Sequence, residues 1–286
     1  MEEYTIRIIK TIKEMQAHAE SMRQAGKIIS FVPTMGFFHD GHLSLMQTGL
    51  KMGDEMVLSI FVNPAQFGPN EDLDTYPKNL ERDLKLAEQQ GVDIVYTPDA
   101  ESLYPEEYQT FVSLETLPNF LCGISRPFFF RGVTTVVTKL FNIVKPHVAI
   151  FGEKDFQQLV IVKQMVKDLN FDLEIISAPT VREPDGLAMS SRNSYLTPDQ
   201  RPAALTLYQS LCRARDLIEK GTRSVAEILE SAARLVTSYP ETEIDYIAVC
   251  DPVTLVDIET IDKPVLMAMA VKVGNTRLID NMILIP

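Results

Sequence analysis

Between Lys27 and Ser177 short apolar, β-branched runs alternate with helical patterns, and this cadence leaves few folds open. Lys27 to Val32 (KIISFV) reads as a buried strand, and Gly41 to Leu50 as a helix with Leu43, Met46 and Leu50 on one face. Glu55 to Val62 is a second strand. Asn79 to Gln90 is a helix with Leu80, Leu84 and Ala87 inward, stopped by Gly91, and Asp93 to Tyr96 is the next strand. A helical stretch over Gly132 to Val144, a strand over His147 to Phe151, a helix from Asp155 to about Leu169 and a strand over Leu173 to Ser177 complete the series. Strand, helix, strand at this spacing predicts an α/β class with a mostly parallel sheet covered on both faces. Ligands of such sheets bind beyond the carboxyl ends of the strands.

After Pro179 the pattern changes to two helices, roughly Pro198 to Lys220 and Ser224 to Ser238, then strands near Ile244–Cys250, Val265–Val273 and Arg277–Ile285. Strands without intervening helices pair antiparallel, which predicts a smaller α+β domain beginning near Val181. A chain of 286 residues has room for both cores. Its net charge of −12 argues against a nucleic-acid reader, which needs a concentrated basic face. Cys122, Cys212 and Cys250 are odd in number and far apart, so neither a disulfide framework nor a structural zinc site is expected. Met1 to Lys10 lacks the basic start and apolar run of a signal peptide, and no apolar stretch approaches the roughly 20 residues that span a bilayer. A soluble, cytoplasmic protein with no membrane partner is the expectation.

The chemistry-bearing residues fall where strands end. Pro33–Thr34–Met35–Gly36 leaves the first strand, and His39–Asp40–Gly41–His42 opens the following helix. Amides at a helix N-terminus attract phosphate, and two imidazoles three residues apart can reach one anionic group. Three readings fit: phosphate binding, two histidines at a polar helix start by chance, and a metal site. For the last, no third ligand stands at a recognised spacing. Ala188–Met189–Ser190–Ser191–Arg192 follows a turn-forming Glu183–Pro184–Asp185–Gly186 and offers hydroxyls and a guanidinium to phosphate oxygens; alone it reads first as a capped turn, and its weight comes from its pairing with the histidine motif. Between them lie Gly152–Glu153–Lys154–Asp155 and Gln157–Gln158. Lys154 is a mobile charge suited to a polyphosphate or a solvated surface lysine, and Asp155 is placed to cap a helix. Asn63–Pro64–Ala65–Gln66–Phe67, followed by Tyr76, offers amides for a small polar substrate or a loop stiffened by Pro64.

A histidine-bearing helix start with a later Met-Ser-Ser-Arg loop resembles the signatures of the adenylyl-transferring superfamily that includes the class I aminoacyl-tRNA synthetases. More specifically, PTMGFFHDGHLSLM from Pro33, SIFVNPAQFGPNEDLDTYPK from Ser59, RGVTTVVTKLFNIVKPHVAIFGEKDFQQL from Arg131, PTVREPDGLAMSSRNSYL from Pro179 and TRLIDN from Thr276 resemble the pantoate–β-alanine ligases in order and spacing. The resemblance implies a Rossmann-like domain over residues 1–180 with a C-terminal lid over 181–286, and a ligase that makes pantothenate, a coenzyme A precursor. Pantoate would be activated by ATP as pantoyl adenylate and then attacked by β-alanine, releasing pyrophosphate and AMP. By motif position, His39 and His42 would contact ATP phosphates with Met35 nearby, and Lys154, Ser190, Ser191 and Arg192 would complete the clamp. Gly152, Asp155 and the backbone at Val181 and Met189 would hold ribose and adenine. Gln66 and Gln158 would bind pantoate, with Asn63 close by, and Tyr76 would help close the site. Mg²⁺ on the nucleotide, few protein ligands to it, and a homodimer are also implied.

One stretch departs from that pattern. Where members often show Arg-Pro-Gly-His-Phe, this chain has Arg126–Pro127–Phe128–Phe129–Phe130, which puts a role for Arg126 and its loop in doubt. Two other functions compete with the ligase: a nucleotidylyltransferase that keeps the nucleotide in its product, and a nucleotide-sensing protein without turnover. The Asn63/Gln66/Gln158 set argues against the first, and the joint presence of His39, His42 and Lys154 against the second.

Overall fold

A computed structural model describes residues 6–69 and 71–286. Its elements in chain order are β1 (Arg7–Ile9), α1 (Ile12–Gln24), β2 (Ile29–Thr34), α2 (Asp40–Met52), β3 (Glu55–Ile60), α3 (Leu80–Gln90), β4 (Ile94–Tyr96) and the short α4 (Ala100–Leu103) and α5 (Cys122–Ser125). There follow α6 (Phe129–Val144), β5 (Val148–Gly152), α7 (Phe156–Asp168), β6 (Glu174–Ala178), α8 (Arg201–Glu219), α9 (Val225–Val236), β7 (Thr242–Cys250), β8 (Val265–Val273) and β9 (Thr276–Leu284).

Strands β1 to β6 form one parallel sheet in the order β1-β4-β3-β2-β5-β6. The order reverses at β2, which lies between β3 and β5, and the crevice at such a reversal is where open parallel sheets bind ligands. Ile29, Phe31 and Val32 of β2 and Met56, Val57 and Leu58 of β3 are buried, as strands covered on both faces require. The core on one face joins Val32, Met46, Leu58, Leu84, Ala87, Val95 and Ile150.

Four elements lie outside the sequence expectation: β1, α1 and the short α4 and α5. The N-terminal stretch supplies β1 and α1, with Thr11 as N-cap accepting from the Glu14 amide. Leu80, expected to face inward, is 47% exposed. It is the first residue after the Asn79 cap, and the inward face of α3 is made by Asp83, Leu84 and Ala87. Gly91 closes α3 with φ +86, a left-handed conformation glycine reaches without strain.

The chain divides into two compact units: Met1–Leu114 with Phe128–Glu153 and Ile161–Pro179, and Glu115–Pro127 with Lys154–Val160 and Thr180–Pro286. Two segments before residue 180 thus pack with the second unit, where a single cut was expected. That unit is built on an antiparallel sheet β7-β8-β9. Central β8 is buried along nearly its whole length. Val265, Met267, Met269, Val271 and Val273 meet the core of α8 and α9, whereas Leu266 and Ala268 meet Leu121, Cys250 and Leu255 on the other face. The alternation follows from the period of two along a strand. All three cysteines are free thiols, and among the described residues no helix is long and apolar enough to cross a membrane.

Candidate active site

In the first unit, residues 35–39 carry the chain from β2 into α2. The loop is tight: Gly36 has φ +85 and Phe37 φ +54. Thr34 ties it to β3 by donating its hydroxyl to the Ser59 carbonyl at 2.7 Å. Its main anchor is Asp83 of α3, 1% exposed, whose carboxylate accepts the backbone N–H groups of Phe37 at 2.6 Å and Phe38 at 2.8 Å. The Arg82 guanidinium donates to the Phe38 carbonyl at 2.9 Å. Burial pushes the Asp83 carboxyl above its ordinary value, with the two amide bonds and Arg82 opposing. Asp83 had no motif to mark it, because its partners lie 45 and 46 positions away.

His39 is the N-cap of α2 and His42 its N3 residue. The His39 N–H donates to Nδ1 of His42 at 3.3 Å, and the two rings lie 4.1 Å apart. An accepting Nδ1 puts the proton of neutral His42 on Nε2, so the imidazole offers a donor at the helix N-terminus, where the helix dipole favours an anion. Met35 stands in the same loop, and the Gln66 amide donates to its sulfur at 3.0 Å. Gly152 ends β5, with Leu45 of α2 3.9 Å from where its Cβ would lie.

Asn63 and Gln66 bracket a 3-10 turn, Pro64–Gln66. Asn63 is 1% exposed: its amide donates to Gln66 Oε1 at 3.0 Å and the Gly132 carbonyl at 3.1 Å, and its oxygen accepts from Tyr104 at 2.9 Å. It therefore orients Gln66 from within the fold. A Cβ on Gly132 would stand 2.1 Å from the Ala65 carbonyl oxygen, so only glycine lets α6 pass this close to the turn. Tyr76 is buried and meets Phe67 edge-on at 5.9 Å.

In the second unit Lys154 and Asp155 belong to a 3-10 turn, Glu153–Asp155, which precedes α7; the helix was expected to open at Asp155. The Lys154 ammonium is 4.0 Å from the Asp155 carboxylate. Of the two glutamines, Gln157 is buried, accepting from the Cys122 N–H at 3.0 Å and donating to the Leu117 and Phe120 carbonyls at 3.1 and 2.7 Å; Gln158 is half-buried.

The Ser190–Ser191–Arg192 segment hangs from a small antiparallel loop. The Met189 N–H donates to the Val181 carbonyl at 2.9 Å, and the Glu183 N–H to Leu187 at 2.8 Å. Ser190 caps the following 3-10 turn, Ser191–Tyr195, by accepting the Arg192 N–H at 3.3 Å. Arg182 grips Asp280 through two bonds of 2.6 and 2.9 Å, and Arg201 pairs with Glu183 and Asp185. Its guanidinium holds the Asp185 carboxyl below the ordinary range. Arg126, beside the divergent stretch, ends α5; Phe128 is exposed and Phe130 buried.

A parallel sheet reversing at β2, with paired histidines opening the helix that follows it, defines a Rossmann-like α/β enzyme. The profile of the pantoate–β-alanine ligase family matches residues 7–283, and the chain belongs to that family. It is 60% identical to a pantothenate synthetase of Desulfatibacillum aliphaticivorans over 98% of this chain and 99% of the other. To that of Geobacter sulfurreducens it is 54% identical, with 98% and 99% covered. A crystal structure of the Thermus thermophilus pantothenate synthetase superposes with a TM-score of 0.93 at 42% identity, covering 98% of this chain and 100% of that one. The pantoate–β-alanine ligase of Francisella tularensis, complexed with β-γ ATP and β-alanine, superposes with a TM-score of 0.79 at 33% identity, with 97% of each chain covered.

Proposed function

We propose that this chain condenses pantoate with β-alanine, driven by ATP, in two steps. A carboxylate oxygen of pantoate attacks the α-phosphorus of ATP; the bond to the bridging oxygen breaks and pyrophosphate leaves. The amine of β-alanine then attacks the acyl carbon of the mixed anhydride, loses a proton and expels AMP. Adenylation turns a poor leaving group into a good one, and the protein's work is to position reactants and neutralise phosphate charge.

The observation that carries this reading is the helix mouth, where the His39 N–H fixes His42 with Nε2–H as its donor. His39 and His42 stabilise phosphate oxygens as charge builds at phosphorus, and Met35 packs beside them. Lys154, Ser190, Ser191 and Arg192 supply further charge and hydroxyl donors to the triphosphate. Gly152, Asp155, Val181 and Met189 receive ribose and adenine. Gln66 and Gln158 hold pantoate, Gln66 being oriented by Asn63, and Tyr76 closes the pocket. Mg²⁺ bound with ATP would neutralise phosphate charge, with most of its ligands coming from phosphate and water; among the described residues no three His, Cys, Asp or Glu side chains cluster as a metal site. The family resemblance extends the reading to a cytoplasmic homodimer, which light scattering of the purified chain checks for assembly.

Pantoate-dependent exchange of labelled pyrophosphate into ATP, measured without β-alanine, tests the proposal. Exchange is expected with pantoate alone, and AMP release once β-alanine is added. Activity confined to an acceptor that retains the nucleotide, or ATP binding without turnover, would replace the ligase by a nucleotidylyltransferase or a sensor.

A further inference from the structure

Adjacent residues of a strand point to opposite faces of the sheet. In β9 this alternation places Leu278, Asp280 and Leu284 in one row and Arg277 and Asn281 in the other. Leu278 and Leu284 belong to the core of α8 and α9. Asp280, 2% exposed, accepts the two bonds from Arg182, at the root of the loop that ends in Ser190–Ser191–Arg192. Arg182 in turn donates to the Gly186 carbonyl at 3.1 Å inside that loop, and its guanidinium lies 4.2 Å from the Tyr208 ring. Asn281, 9% exposed, donates its amide to the backbone carbonyl of Lys154 at 2.8 Å. The two residues are also tied together, since the Asn281 N–H donates to Asp280 Oδ1 at 2.8 Å.

We propose that Asp280 and Asn281 are positioning residues for adenylation, a two-handed brace that sets Lys154 and the Ser190–Arg192 loop in register from one strand. The inference rests on the reading above that Lys154 and Arg192 act on ATP phosphates. Neither hand touches the nucleotide. Each fixes backbone: Asn281 the carbonyl of the residue whose ammonium is needed, Asp280 the root of the loop whose hydroxyls and guanidinium are needed. β9 is paired with β8 along its full length, Val265 to Val273 against Thr276 to Leu284, so the two hands share a rigid support. Donors aimed from a common rigid support need no rearrangement as charge develops, which is the source of their catalytic value.

A double-mutant cycle separates positioning from general structural support, because effects that run through a shared group do not add. Asn281→Ala is expected to lower the turnover of pantoate-dependent pyrophosphate exchange roughly tenfold with pantoate KM unchanged. In a Lys154→Ala background the same substitution should change exchange less than about twofold, since a displaced backbone no longer carries an ammonium. Asn281→Asp, equal in volume but with an acceptor facing the carbonyl, should match Asn281→Ala and so exclude a cavity as the cause. Asp280→Asn against Arg192→Ala has the same expected pattern for the other hand. Full, multiplying losses in either cycle, or wild-type exchange for Asn281→Ala, overturn the brace while leaving the ATP reading in place. Wild-type exchange for Lys154→Ala removes the reading of Lys154 and the brace together.

Discussion

The loop at the mouth of α2 and the loop that carries Ser190–Ser191–Arg192 are held by opposite means. The first is held chiefly through its backbone. One buried carboxylate, Asp83, accepts two consecutive N–H groups, and the chain takes left-handed turns at Gly36 and Phe37 to present them. The second is held through side chains, with Arg182 on Asp280, Arg201 on Glu183 and Asp185, and Asn193 on Glu183. A backbone anchor fixes the direction in which a helix starts and is indifferent to the residues presented. A guanidinium–carboxylate lattice fixes where an irregular loop sits, and its stability follows the charge of its members. The two loops should therefore fail differently.

The largest effect is expected in the second loop. Arg182→Met leaves the buried Asp280 carboxylate without the guanidinium that donates two bonds to it. Breaking a buried pair from one side costs about 3 kcal/mol or more, and a second change, Asp280→Leu, should return much of it. Denaturant midpoints of the three variants measure this, and a single variant as stable as wild type would show that the lattice is decoration. Next comes His42→Ala. It should lower pyrophosphate exchange by about 10², near 2.7 kcal/mol in barrier, with the thermal midpoint little moved. Exchange within threefold of wild type would remove His42 from the phosphate chemistry.

Asp83→Asn sharpens the contrast in the first loop. The amide keeps one acceptor oxygen but turns an NH₂ toward a backbone N–H, so one anchor bond is lost and the direction of the α2 entry loosens. About a tenfold drop in exchange follows if misplacing His39 and His42 by a fraction of an ångström is what matters. Stability should change little, because the asparagine also escapes the desolvation that raises the Asp83 carboxyl. A variant that loses stability but keeps full turnover would make Asp83 a folding residue only.

The sequence pattern disclosed what is periodic and local. Runs such as EMVLSIFV betray a strand buried on both faces, and Asn79 and Gly91 bracket α3 as cap residues do. His39 and His42 were legible as a pair because a helix start directly after a strand is a short, local pattern. What escaped depends on distance or on facing. Asp83 meets its partners only after folding, and nothing in Leu80-Glu-Arg-Asp distinguishes an anchor from a solvated acid. Leu80 looked inward because it stands four residues before Leu84, yet at the first position of the helix it lies beyond the core. Gln157 and Gln158 are adjacent and identical in type, and only the fold shows that the first is committed to Leu117, Phe120 and Cys122. The first helix does carry a local signal in Thr11, followed three residues on by Glu14, whose amide the Thr11 hydroxyl accepts.

The smallest effect tests the comparison through pH. Asp83 has a folded value above its ordinary one, so its contribution favours the fold at low pH and turns into a cost as pH rises through that value. Asp185 has a folded value below its ordinary one, so its contribution is present at neutral pH and is lost as pH falls through that value. Replacing either by asparagine removes the titration. Between about pH 7 and about pH 3.5 the wild type should gain stability relative to Asp83→Asn and lose it relative to Asp185→Asn. The second change stays within about 1 kcal/mol because the Arg201 pair is part-exposed and screened by solvent. Denaturant midpoints of the two variants and the wild type across this range give two differences whose slopes must carry opposite signs. Slopes of one sign would mean that the two loops are anchored by the same physics, with burial rather than charge pairing, or the reverse, governing both.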